Sequence, residues 1–166
     1  DLGASGIMVP MVNTPDDAIK IVQSSKYPPK GKRGAGFGFA HDNYINRNPL
    51  SYIKKANNSL INIIQIETKT ALENVKEIAS INGVDCLWVG HFDLTNFLGI
   101  PGDFTSNIYL NAINEIVIAA NTYRKSLGIM VNNKQELETY SKLGFNVIAV
   151  GTEMNILSRS ISQILK

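Results

Sequence analysis

LINIIQIE (60–67) sets the reading of this 166-residue chain. The run is nearly continuously apolar, without the strict alternation of a strand that has one wet face. That is the pattern of a strand buried on both faces of a parallel sheet. Four other short runs share it: SGIMVPMV (5–12), VDCLWVG (84–90), LGIMV (127–131) and NVIAVG (146–151).

Helical patterns with legible ends lie between these runs. Thr14-Pro15-Asp16-Asp17 supplies a capping hydroxyl, a proline at the first helical position and two acids in the first turn, ahead of AIKIV. Residues 68–82 place Leu72, Val75, Ile78 and Ala79 on one face of a helix. Residues 107–125 do the same with Leu110, Ile113, Ile116, Val117 and Ala120. A helix over 133–143 ends before Gly144, and a last one starts near Glu153. Strand and helix therefore alternate to the end of the chain, which predicts an α/β fold with right-handed crossovers. The first connection is long: YPPKGKRGAGFGFAHDNYINRNP (27–49) precedes a short helix, LSYIKKANN, and a loop of that length is commonly functional or an interface. Without a linker or low-complexity stretch, residues 1–166 are expected to form one domain. The pattern does not separate an open doubly wound sheet from part of a barrel. Five strand–helix units do fall short of a full eight-unit barrel, which needs about 250 residues.

Composition narrows the function. With 44% hydrophobic residues and a formal net charge of +2, the chain is ordinary globular material and has no basic stripe for nucleic acid. Lys30, Lys32 and Arg33 form the one tight basic cluster, expected to be a solvated loop. A single cysteine, Cys86, excludes an internal disulfide and reads as a buried, inert thiol in a reducing compartment. No signal-like start and no apolar run of roughly 20 residues is present, so a soluble, cytoplasmic protein with no membrane partner is expected. The chain begins with Asp instead of Met, which favours a processed protein or a fragment.

Chemistry concentrates at strand ends. Gln65 and Glu67 share one face of their strand by period two, and Asp93 follows the run ending VGHFD by a few residues. In a parallel sheet the carboxyl ends of consecutive strands lie on one rim, where such folds place ligands. Two carboxylates there suit a hard divalent cation that keeps water and substrate in its other positions. The competing reading makes Glu67 a first-turn acid of the helix from Thr68, and Asp93 a cap of the turn at Leu94. Gly34-Ala35-Gly36-Phe37-Gly38 lacks the preceding strand and following helix of a phosphate loop and reads as flexible backbone. His41 and His91 have no zinc-ligand spacing, and His91 is expected beside the site without acting as its base. No nucleophile elbow is present and Cys86 has no evident base, which excludes nucleophilic hydrolysis.

YPPKGKRG (27–34), IIQIET (63–68), GVDCLWVGHFDLT (83–95), LGIMV (127–131) and VIAVGTE (147–153) occur in the order and spacing of one family. Over essentially its whole length the chain resembles the metal-dependent (class II) pyruvate aldolases of the HpcH/HpaI aldolase/citrate lyase family. The resemblance implies a (β/α)8 TIM barrel of which this chain supplies five units, strands four to eight. It also implies that the first third of the family chain, with its general-base histidine and enolate-stabilising arginine, is missing here. By the same resemblance Glu67 and Asp93 match the two carboxylates that bind a divalent metal ion (Mg²⁺, Mn²⁺ or Co²⁺), and Gln65 matches a substrate-contacting glutamine. The amides of Phe92 and Asp93 match those that meet the oxo-acid carboxylate. Asp1 matches an aspartate that reaches a neighbouring subunit and raises the basicity of the catalytic histidine. His91-Phe92 departs from the family's usual proline and small residue, and Phe92 is expected to reshape the aldehyde end of the pocket.

The implied activity is reversible aldol cleavage of a 4-hydroxy-2-oxo acid to pyruvate and an aldehyde through a metal-stabilised pyruvate enolate, in a homo-oligomer, with hexamers common in the family. Two alternatives accompany it. One is a non-catalytic barrel fragment acting only within an assembly, and the other a citrate-lyase-like acyl lyase.

Overall fold

The five apolar runs form five parallel strands: β1 (Gly6–Val9), β2 (Ile61–Ile66), β3 (Cys86–Val89), β4 (Ser126–Val131) and β5 (Val147–Val150). They are seen in a computed structural model that describes residues 2–45 and 48–165. Eight α-helices accompany them among the described residues: α1 (Pro15–Ser25), α2 (Pro49–Ser59), α3 (Lys69–Glu73), α4 (Val75–Ser80), α5 (His91–Phe97), α6 (Asn107–Thr122), α7 (Lys134–Lys142) and α8 (Glu153–Ile164). The start of α1 follows its sequence signature. The Thr14 hydroxyl accepts from the Asp17 amide at 3.2 Å while the Asp17 carboxylate accepts from the Thr14 amide at 3.0 Å, a reciprocal capping box.

Strand order resolves the ambiguity left by the sequence. The sheet runs β1-β2-β3-β4-β5 with no reversal. Right-handed crossovers between consecutive neighbours put the helices that connect the strands on the same side, whereas a doubly wound sheet needs a reversal to cover both. The core lies on the helical side. Ile64, Ile66, Leu87, Val89, Leu127, Ile129 and Val131 alternate along the strands and pack on Ala18, Val22, Val75, Ile78, Ile113, Ile116 and Ala120. The other side carries Met8, Ile63, Gln65, Trp88, Gly128 and Met130 in register, and no helix layer of the described residues covers it. Burial on both faces, expected from the apolar runs, is therefore achieved on one only. Met8 stays 43% exposed and Ile61 47%. The result is an α/β curled half-barrel, all parallel, with its concave face open.

Three local expectations are corrected. The helix over 68–82 is two helices broken at Asn74, whose side-chain amide donates to the carbonyls of Asn13 and Thr70, both at 3.0 Å, and so ties the break to the β1–α1 loop. Leu110 is half exposed, because the buried stripe of α6 runs through Tyr109, Ala112, Ile113, Ile116, Ala119 and Ala120, one position round the helix. Residues 91–97, not expected to be helical, form α5.

The long first connection is pinned to α2. Asn57 brackets buried Tyr27 through that residue's own amide and carbonyl at 2.8 and 2.9 Å, and Arg33 stacks 4.5 Å over the Tyr27 ring. The basic cluster is thus only partly solvated. α8 buries none of its described residues, leaving Met154, Ile156, Leu157 and Ile161 open. No described helix is long and apolar enough to cross a membrane.

Candidate metal centre at the strand carboxyl rim

Ile66 ends β2 facing the helices, so the next residue turns toward the concave side as Gln65 does. Glu67 is 2% exposed there. Its Oε2 accepts from the Gln65 side-chain amide at 2.5 Å, which establishes the shared face that period two predicts. Its Oε1 accepts from the Met11 backbone amide at 2.6 Å. Met11 reaches it from the loop after β1 by adopting φ 55, a left-handed conformation uncommon for a residue with a side chain. Strain of this kind gathers where a fold holds a functional group in place.

β3 closes on the same point. The Gly90 amide donates to the Ile66 carbonyl at 3.2 Å, and a Cβ at Gly90 would lie 2.6 Å from Glu67 Oε2 and 2.8 Å from Gln65 Nε2. Only a residue without a side chain admits that approach. α5 begins at the next residue, and its first intrahelical bond runs from the Leu94 amide to the Gly90 carbonyl at 2.8 Å. The amides of Phe92 and Asp93 precede that bond and are not used by the helix. Asp93 lies in the first turn, exposed, and makes no side-chain hydrogen bond among the described residues.

Both bland readings of the acids lose ground. Thr68, not Glu67, caps α3, with its hydroxyl accepting from the Ala71 amide at 3.0 Å. Glu67 stands outside that helix. α5 has Gly90 at its cap position with no side-chain cap bond, so Asp93 does not cap the turn at Leu94.

The donor set fits a cation. Glu67 is a nearly fully buried carboxylate whose two described partners are a main-chain amide and a side-chain amide, both neutral, and no described lysine or arginine pairs with it. A buried carboxylate ordinarily needs a positive partner. Each of its oxygens spends one acceptor position on an amide and keeps another. No group of three or more His, Cys, Asp or Glu that could hold a metal ion assembles among the described residues.

The neighbourhood is aromatic. His91 is 4.7 Å from Phe92 and 5.2 Å from Phe104 between ring centres. Burial pushes the His91 imidazole below its ordinary value, against the opposing pull of the Glu136 and Asp93 carboxylates. Phe92 is 60% exposed at the rim. His41 belongs to the other end of the sheet, beside Gly3 to Ser5 and Leu60, which precede β1 and β2. Cys86 is buried, and burial followed by the Asp85 charge pushes its thiol up to about 12, in keeping with an inert side chain. Asp1 lies outside the described residues. Sequence reasoning missed Gly90 and the Met11 amide. The glycine, standing between an apolar run and an acid, was a usable signal. A main-chain donor 56 positions from its acceptor left none.

The HpcH/HpaI aldolase/citrate lyase family model matches residues 1–160. The 4-hydroxy-2-oxo-heptane-1,7-dioate aldolase of Shigella flexneri is 34% identical over 160 residues, covering 96% of this chain and 60% of that one. The hydroxypyruvate/pyruvate aldolase of Deinococcus radiodurans is also 34% identical, over 96% of this chain and 57% of its own. The crystal structure of an HpcH/HpaI aldolase/citrate lyase family protein from Burkholderia cenocepacia superimposes with a TM-score of 0.90 at 30% identity, covering 98% of this chain and 64% of that one. The chain thus spans about 60% of the length of the curated relatives it matches. With the family model, both relatives and the superimposed sheet in agreement, the chain belongs to the HpcH/HpaI aldolase/citrate lyase family.

Proposed function

We propose that this chain contributes the metal- and oxo-acid-binding half of a class II pyruvate aldolase, an aldehyde-lyase that cleaves a 4-hydroxy-2-oxo acid to pyruvate and an aldehyde. The observation that carries the reading is the buried Glu67 carboxylate, held by two neutral donors at the rim beside Gln65 and α5. Glu67 and Asp93 would hold the divalent ion. Bound there, the ion supplies Lewis acidity toward the 2-oxo group and favours proton loss from the adjacent methyl.

The remaining work falls to the chain itself. Gln65 fixes Glu67 with one amide hydrogen and has a second hydrogen for substrate. The amides of Phe92 and Asp93 offer donors to an oxo-acid carboxylate at the positive end of α5. Phe92 and Phe104, 5.1 Å apart, form an apolar wall that keeps water from one side of the reacting carbons. The base that moves the proton comes, in this reading, from the other units of an eight-unit barrel in which this chain forms strands four to eight. Those units also cover the open concave face. The exposed apolar face of α8 serves homo-oligomer contacts. The Shigella relative's name, with its 4-hydroxy-2-oxo acid, and the Deinococcus relative's name, with its pyruvate, support this substrate class.

The test is pyruvate formation from a 4-hydroxy-2-oxo acid by the protein, with and without chelator, for wild type, Glu67→Gln and Asp93→Asn. Activity is expected to need added Mg²⁺, Mn²⁺ or Co²⁺ and to be lost in both variants. Turnover indifferent to chelator, or retained in Glu67→Gln, removes the reading.

A further inference from the structure

The end of the sheet opposite the rim carries a second polar site. A cleft of about 740 Å³ opens among the segments that precede β2, β3 and β4 and the turn after α1. That size is within the roughly 300–1,000 Å³ of small-molecule sites. Four cationic side chains line it, Lys26, Lys30, Arg124 and Lys125, against one carboxylate, Asp85. Four cations against one carboxylate exceed the +2 net charge of the whole chain. Asp85 is partly engaged already, its Oδ2 accepting from the Asn62 amide at 2.8 Å, and no described carboxylate forms an ion pair with any of the four.

Two of the cations are built into the fold. Buried Lys26 donates to the carbonyl of Asn57 at 3.0 Å and to that of Leu60, and Lys125 donates to those of Ile81 at 3.1 Å and Val84 at 2.8 Å. An ammonium has three N–H groups, so each keeps one donor beyond its two carbonyls. Neutral carbonyls position these charges without cancelling them. Lys30, held by Asn58 Oδ1 at 2.9 Å, and exposed Arg124 complete the ring. Arg124 adopts φ 53 in the turn closing α6, where glycine is the usual occupant. Carbonyl capping accounts for Lys26 and Lys125 alone. It gives no reason for Lys30 and Arg124 to gather on the same cleft.

We propose that this cleft binds an oxyanion of the phosphate class, either inorganic phosphate or the phosphate of a small ester. Several acceptor oxygens with two negative charges match point-charge ammoniums and a guanidinium fork together. The site lies at the strand ends opposite Gln65 and Glu67, so it anchors or regulates and takes no part in carbon–carbon chemistry.

Calorimetric titration of the protein with inorganic phosphate and with glycerol phosphate, at constant ionic strength and with chelator present, tests this. Saturable binding is expected, weakened roughly tenfold or more in the Lys30→Gln/Arg124→Gln double variant, whose altered side chains are exposed, and unchanged in Glu67→Gln. Tighter binding of the ester would identify a phosphorylated ligand, and equal binding inorganic phosphate. Absence of saturable heat, an affinity unmoved by the double variant, or loss of binding in Glu67→Gln would each overturn the proposal.

Discussion

Replacing Gly90 with alanine tests the packing that holds Glu67 in place. Gly90 sits at φ −83, so the substitution brings no left-handed strain and its effect is steric. The new methyl would lie 2.6 Å from Glu67 Oε2, 2.7 Å from Glu67 Cβ and 2.8 Å from Gln65 Nε2, where ordinary contact begins at 3.4 Å. Relief therefore needs a retreat of about 0.8 Å by a carboxylate pinned from two sides. Overpacking of this kind costs roughly 1–3 kcal/mol, and loosening one hydrogen bond to a charged group adds a comparable amount, for about 2–6 kcal/mol in all. For a chain of this size that corresponds to a melting temperature lower by roughly 5–25 °C. Thermal unfolding reads the stability, and Mn²⁺ titration of the same variant reads the site, with weakened binding expected. A Gly90→Ala protein that melts like wild type and binds Mn²⁺ as well would refute the geometry from which Glu67 is assigned.

Other expectations are independent of that one. Cys86 should resist iodoacetamide at pH 8 in the folded protein and react promptly in urea, since burial holds its thiol near 12; fast native labelling contradicts this. Because that pKa is raised above its ordinary 9.0, the Cys86 contribution to stability is complete below pH 9 and is lost as pH climbs through about 12. A Cys86→Ala variant should therefore lose less stability than wild type across that window. Thr14→Ala removes the α1 capping box and should cost about 1 kcal/mol in urea unfolding. The Thr14 hydroxyl holds the Asp17 carboxyl below its usual value, so the Asp17 contribution is present above pH 4 and lost as pH falls further, and Asp17→Asn should flatten that acid limb. Gly128 lies under the ring of Trp88, the only tryptophan, so Gly128→Ala should shift the intrinsic fluorescence and destabilise by roughly 1–3 kcal/mol.

Much of this was legible in the residues. LINIIQIE and its four companions each became a strand, because dense apolar runs bounded by polar turns have few other places to go. Gln65 and Glu67 fell on one face because strand geometry requires it. What stayed hidden was set by contacts distant in sequence. Nothing local marks the break at Asn74, which a carbonyl of Asn13 secures from across the fold. The stripe of α6 could be read one position off, since Leu110 and Tyr109 are both large and apolar and only the packed sheet selects between them. Strand order lay beyond pattern altogether, because a run of apolar residues is the same string in a singly covered sheet and a doubly covered one. The Met11 amide is the clearest case: its role rests on backbone conformation, to which the identity of the side chain contributes little.

The most direct measurement is a Mn²⁺ titration of the protein followed by electron paramagnetic resonance, with pyruvate present, for wild type, Glu67→Gln and Asp93→Asn. Wild type should show one saturable site, tightened by pyruvate and lost in both variants. A site that persists at full strength in Glu67→Gln would contradict the metal assignment, because the buried carboxylate would then have a purpose other than holding the ion.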